Sequence, residues 1–582
     1  MCTSPKVAAM TLLIAAALVG CERAPAPPPP PPPATAPAPA ADNGWARFRD
    51  GFLEAYFRAE PALAVYQGRH EFDGQLPQRS ADAIAHEIKD LHAQRERTLT
   101  FRDSALSADE RFERDSIVAR IDHDLFWLET AQWPFKNPAF YIDSLDPSPY
   151  LTREYAPLDV RMRAFIKFER AVPRAAEEIK ANLRPPLGRP LLERGLSAFK
   201  GYADYYHKNV AQIFASVTDQ SLQKDLSEAN SAAEAAMRSL AAALEADRAS
   251  ANDDYALGAE RFAQMLVATE RVTTPLAQVE EAGNADLARN LAALHAACAR
   301  FLPGGSEHAC VEKVERDKPA GAVVDDARKQ LAELKSFIEA HNIVSIPGSE
   351  QILVAQAPPY NRDNFAYIDV PGPYDKSVAS TFYIAPPDPA WPAKMQRDYL
   401  PGRASLLFTS VHEVWPGHFL QFLHSNRYGS IVNRVFVGYA FAEGWAHYGE
   451  EMMWEEGLGN ADPEVHIGQL KNALLRNVRM LCAIGIHTRG MKIAECERHF
   501  REQAFADAGN AHQQAIRGAY DPAYLNYTMG KLMIRKLRAD WTSTRGGQSA
   551  WHDFHDRFLS YGGPPIPMVR AAMLGNDSGS LF

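Results

Sequence analysis

From about Gly44 onward, apolar residues recur at three- and four-residue steps. Trp45, Phe48, Phe52 and Tyr56 therefore share one face of a helix. Ser107-Ala-Asp-Glu110 reads as a capping box, in which Ser and Glu each answer a free backbone N–H of the first turn. It predicts a helix with Ile117, Ile121, Leu125 and Leu128 facing inward. Further helices are predicted over about 158–183, 221–249, 255–270, 275–301 and 322–341. Aromatic stripes at this spacing are read as core. No fixed-period repeat points to a solenoid.

The texture changes near Asn342. The segments 351–356 (QILVAQ) and 379–385 (ASTFYIA) are short, apolar and β-prone, with Gly, Pro, Asn and Asp dense between them. They predict a small sheet or hairpin. Pro386 and Pro387 end the second strand, helices resume after about Gly402, and the tail from Gly562 is loop-like. The fold class expected is mainly α, with an N-terminal helical region over 44–345 and a motif-bearing region over 346–582.

The first twenty residues follow a different pattern. Lys6 precedes an apolar run, Val7 to Val19, too short to span a bilayer and suited to a signal-peptide core. Leu18-Val19-Gly20-Cys21 resembles the bacterial lipobox, whose Cys becomes the lipidated first residue of the mature chain. Residues 1–20 are thus expected to be a lipoprotein signal peptide, with membrane attachment through lipid on Cys21. Glu22 at the following position favours the outer membrane by the same resemblance. From Ala24 to Ala41 the chain is almost only Pro, Ala and Thr, including seven consecutive prolines, Pro27 to Pro33. Such a run favours polyproline II. Residues 21–43 then form a spacer reaching on the order of 50 Å at about 3 Å per residue.

Composition adds limits. The chain is 46% hydrophobic and 23% charged, as globular proteins are, and its net charge of −10 argues against a general nucleic-acid partner. There is no G-x-G-x-x-G, P-loop or G-x-S-x-G, so nucleotide and serine-hydrolase chemistry lack support. An envelope location permits disulfides. Cys298 with Cys310 and Cys482 with Cys496 are the local options, and spacing leaves each pair open between bonded and reduced.

The chemistry concentrates in Val411-His412-Glu413-Val414-Trp415-Pro416-Gly417-His418. His412-Glu413 opens like the HExxH zinc motif, in which two His one turn apart bind the metal and the Glu activates water. Here the second His comes six residues on. At about 100° per residue that places the two about 120° apart on an unbroken helix. Pro416 lacks an N–H and Gly417 tolerates unusual backbone angles, so the helix is expected to break there and return His418 to its partner. Downstream, Glu443, His447 and Glu450 share one helical face by their four- and three-residue steps.

At these residues the chain resembles a bacterial family catalogued as domain of unknown function 885, with the pattern HExxPGHxxQ followed by EGWAxYxE. That family is in turn similar to the helical zinc peptidases of the gluzincin type. The resemblance implies a large helical fold around a deep cleft, one Zn²⁺ on His412, His418 and Glu443, and Glu413 as general base. His447 departs from the family's usual apolar residue, which leaves open whether it tunes the site or faces solvent. Gly485-Ile486-His487-Thr488-Arg489-Gly490 resembles the family's GLHxxGW segment, and Tyr524 to Lys531 its SYKxG segment. On that footing Tyr527 and His487 are expected to stabilise the oxyanion. Arg476, Arg479 and Arg489 are candidates for a substrate carboxylate, with surface pairing the plainer role for each. The strand at 379–385 is expected at the cleft edge, where such strands pair with extended substrate.

The function expected is a zinc metallopeptidase acting on peptides at the bacterial envelope. The alternatives are a non-catalytic metal-binding envelope lipoprotein, and a metal-dependent amidase or esterase on non-peptide substrates.

Overall fold

Most of the helices that the apolar spacing predicts are present in the computed structural model of the chain, which describes residues 43–582 apart from 320–321, 359–361, 363–364, 376–377 and 576–578. The expected signal peptide, Cys21 and the proline-rich spacer lie outside these residues. The helix Trp45–Ala59 buries Trp45, Phe52 and Tyr56. The helix Ala108–Leu125 begins with the expected capping box, Ser107 and Glu110 each answering the other's backbone N–H. Helices follow at Leu158–Asn182, Gln220–Asp247, Leu276–Phe301 and Val323–His341. The helix expected from 255 starts only at Ala259, because Gly258 has a φ of +82° that a helix cannot contain. A helix that apolar spacing did not pick out, Arg189–Lys208, carries Gly195 and Gly201 in its interior, which weaken its signal.

Two large apolar cores hold these elements. The first joins the N-terminal helices through Phe57, Phe165, Phe199, Tyr206 and Met237. The second surrounds the motif segments, packing Phe262, Val279 and Leu334 with Phe382, Val411, Phe419, Phe441 and Trp445. A buried Phe contributes roughly 1.5–3 kcal/mol relative to exposure, so the motif residues stand on a stiff floor. Gly44–Phe582 makes one compact unit, and both disulfide options are taken: Cys298 bonds Cys310 and Cys482 bonds Cys496.

Among the described residues the sheet has three strands, β1 (Ile352–Gln356), β2 (Ala366–Asp369) and β3 (Ser380–Ile384), in the order β1-β3-β2. β1 pairs with β3 in parallel, Val354 opposite Phe382. β2 pairs with it antiparallel, Ile368 opposite Phe382. This corrects one expectation. β3 is the strand at 379–385, and it is central, buried along its length and hydrogen-bonded on both sides. Among the described residues it has no free edge to offer a substrate, whereas β1 and β2 do. The sequence reading overlooked β2 because four half-buried residues carry little pattern.

Candidate metal centre

The motif helix runs from Arg403 to Glu413 and stops where expected. Val414 leaves helical geometry, the Trp415–Pro416 peptide is cis, and a new helix runs His418–Ser425. Gly417 is required at the break: a Cβ there would lie 1.7 Å from the carbonyl oxygen of His412. Trp445, fully buried on the helix Tyr439–Glu455, donates its indole N–H to the Pro416 carbonyl at 2.8 Å and so ties the break to the helix that carries Glu443. That helix in turn meets Asn526–Thr542 at a close crossing. A Cβ on Gly444 would come within 2.6 Å of the Gly530 Cα, so two glycines let the backbones approach and set Tyr527 beside the motif.

This framework brings His412, His418 and Glu443 together, each offering one donor atom within 4.8 Å of the others. Glu443 Oε2 lies 3.1 Å from His412 Nε2 and 3.3 Å from His418 Nε2. The two imidazole rings are nearly perpendicular, 4.9 Å apart. On its other side His412 presents Nδ1 to Glu450 Oε1 at 2.7 Å. Glu450 is fully buried and is paired with Arg476, whose Nη2 is 3.0 Å away. Burial would raise Glu450, but Arg476 and the two histidines hold it far below the usual carboxylate range. A carboxylate so placed fixes the Nδ1–H tautomer of His412. The Nε2 lone pair then faces a carboxylate oxygen, an arrangement that suits a cation between them. Two imidazole nitrogens and one carboxylate oxygen are a donor set that zinc accepts, and ligand atoms about 2 Å from one ion stand at separations of this size. Burial opposes the charge of Glu443 too, but His418 and His412 keep it well below its usual range.

Glu413 is half-buried at the end of the motif helix. Burial pushes its carboxyl up to about 7, against the pull of His418 and with Glu443 adding to the rise. Tyr527 is buried with its ring stacked 6.2 Å from that of His412. Burial, reinforced by Glu443, holds its hydroxyl well above the usual phenol range, so it keeps its proton. Arg479 lies over the Tyr527 ring at 4.9 Å and gives its Nε–H to Gln514.

Other expected residues stand elsewhere. His487 takes no part in the cluster: Leu257 N–H donates to its Nδ1 at 3.3 Å, and its Nε2 donates to the Gly518 carbonyl at 2.9 Å. Both ring nitrogens are engaged and burial lowers its pKa to about 4, so it is a neutral structural histidine and the oxyanion role is corrected. Arg476 braces Glu450 rather than facing substrate, and Arg489 pairs with Glu280 at 2.6 Å. His447 does not face solvent. It is fully buried, 3.7 Å from Glu450, with burial lowering it to about 4. Glu450 is the residue whose role sequence reasoning missed; its signals were the shared face with Glu443 and its place as the last Glu of the EGWAxYxE pattern.

Comparison with known proteins agrees with this architecture. A family described as bacterial protein of unknown function (DUF885) matches residues 61–573. A solved structure of a candidate lipoprotein of unknown function from Shewanella oneidensis is similar, with 22% identity, a TM-score of 0.76, and coverage of 91% of this chain and 99% of that one. A second, of a candidate lipoprotein from Colwellia psychrerythraea, has 15% identity, a TM-score of 0.78, and coverage of 91% and 98%. No curated protein matches the chain.

Proposed function

Given that the chain belongs to the DUF885 family of bacterial proteins, we propose that this member is a metal-dependent hydrolase that cleaves peptide bonds, with zinc as its metal. The observation that carries the reading is the convergence of His412, His418 and Glu443 donor atoms within 4.8 Å, beside a carboxyl raised to about 7 on Glu413.

Zinc held by His412, His418 and Glu443 would polarise the scissile carbonyl and activate a water for attack. Glu413 takes a proton from the attacking water and passes it to the leaving amine. A carboxyl beside the water can serve both steps, as acceptor and then as donor. Tyr527, kept protonated by burial, donates its O–H to the oxyanion that forms. Glu450 and Arg476 hold His412 in place and in one tautomer.

The envelope location belongs to the same proposal. Leu18 to Cys21 reads as a lipobox, and both solved neighbours are described as candidate lipoproteins. Lipid on Cys21 would tether the chain, with Glu22 favouring the outer membrane. Among the described residues no helix is long and apolar enough to cross a membrane.

The test is turnover of a peptide library by wild type and Glu413→Gln at equal zinc content. The variant is expected to keep the metal and lose about 10²–10⁴ in kcat. Hydrolysis of esters or small amides with peptides untouched would move the reading to those substrates. Equal turnover by both proteins would reject Glu413 as the base.

A further inference from the structure

A cavity of about 420 Å³ is bounded by residues of the helices Ala108–Leu125, Ala259–Glu270 and Tyr439–Glu455, the last of which carries Glu443. Its link to the metal ligands is Tyr439. Tyr439 stands one turn before Glu443 on the same helix, and its ring is 5.8 Å from that of Tyr527. The lining also includes Trp127 and Trp133, whose rings are 3.9 Å apart.

The lining carries three carboxyls, Asp143, Glu270 and Asp521, with Arg120 and His123 as its basic residues. Glu270 is 2% exposed. Its Oε1 accepts from the Asn526 amide at 2.8 Å and from the Ala440 N–H at 3.3 Å. Its Oε2 has no hydrogen-bond partner among the described residues. Burial pushes the carboxyl up to about 8, and burial also raises Asp143 and Asp521, the other carboxyls of the lining. The cavity's own cations are already engaged or neutral. Arg120 pairs with Asp124 at 2.7 Å, and burial lowers His123. Asp521 shares Arg517 at 3.4 Å, while Arg194 acts on Asp143. An unanswered buried carboxyl oxygen is costly unless a ligand completes it. Aromatic faces with carboxyls between them select a cation over a neutral or anionic group.

We propose that this cavity receives a cationic group of the substrate, either its α-ammonium or a lysine or arginine side chain, with the Glu270 carboxyl as the acceptor. The inference rests on the hydrolase reading, since it treats the cavity as part of that active site. An arriving cation draws Glu270 into its ionised form and completes its hydrogen bonding.

The test measures binding, so that it stands apart from catalysis. The full chain carrying Glu413→Gln and loaded with zinc is titrated calorimetrically with matched peptides. One pair differs by lysine against norleucine, another by a free against an acetylated N-terminus. Cationic peptides are expected to bind about tenfold more tightly. Glu270→Gln in the same background is expected to reduce that preference to about twofold, with Asp143→Asn as the second variant should the first fail to fold. Loss of preference on acetylation assigns the α-ammonium, and loss with norleucine assigns the side chain. Equal affinity for charged and neutral peptides overturns the proposal, as does a preference untouched by both substitutions. A cation preference in a wild type that turns over no peptide would count against hydrolysis and leave the cavity's chemistry standing.

Discussion

His412 Nδ1 lies 2.7 Å from Glu450 Oε1 and 3.1 Å from Arg476 Nη2, while its Nε2 faces Glu443, and an ionised Glu450, which can only accept, favours the Nδ1–H tautomer. Glu450→Gln keeps the shape but loses the charge that holds the tautomer, and leaves Arg476 without its anion. Zinc affinity is expected to fall about 10- to 100-fold. Competition with a chelator of known affinity measures it, with circular dichroism to check that the fold persists.

Gly417→Ala tests the break in the motif helix. A Cβ at this position meets the His412 carbonyl at 1.7 Å, so the backbone must move and carry His418 with it. Zinc content is expected to drop with a loss of stability above about 2 kcal/mol. A variant as stable and as metal-rich as wild type would show that the break does not set the ligand geometry.

Tyr527→Phe removes one hydroxyl from the neighbourhood of His412. The expected result is a fall in kcat of about 10²–10³ with KM and zinc content near wild type. His487→Gln, by contrast, disturbs bonds to Leu257 and Gly518. It is expected to lower stability by about 1–3 kcal/mol and leave zinc in place.

His70 carries a pH dependence of stability. Its ring stacks on Tyr155 at 3.6 Å and lies 3.1 Å from both Asp73 and Asp375. Burial opposes its charge, but the bonds to Asp375 and Asp73 prevail and push its pKa up to about 9. A raised pKa means the contribution is complete below pH about 6.5, the unfolded value, and is lost as pH rises through about 9. Denaturant unfolding of wild type and His70→Gln is therefore expected to show a stability gap that shrinks by on the order of 2 kcal/mol between pH 6 and pH 9.5.

Much of the centre was legible because its signals are local. Pro416 and Gly417 between two histidines announce a break, and Glu443 falls on the next helix of the pattern. What stayed hidden depends on contacts between distant segments. Nothing near Glu450 in the chain says that it meets His412, and Glu270 lies 170 residues before the Ala440 amide it binds. His487 misled because its flanking motif is local, whereas its partners, Leu257 and Gly518, are far apart in sequence. The central place of β3 depended on β2, whose four residues carry too little alternation to be seen.

Elemental analysis of the purified protein tests the central claim most directly, with wild type, Glu413→Gln and His418→Ala measured side by side after zinc is supplied. About one zinc per chain is expected in wild type and Glu413→Gln, and far less in His418→Ala. Full zinc in His418→Ala, or none in wild type, would contradict the centre built from His412, His418 and Glu443.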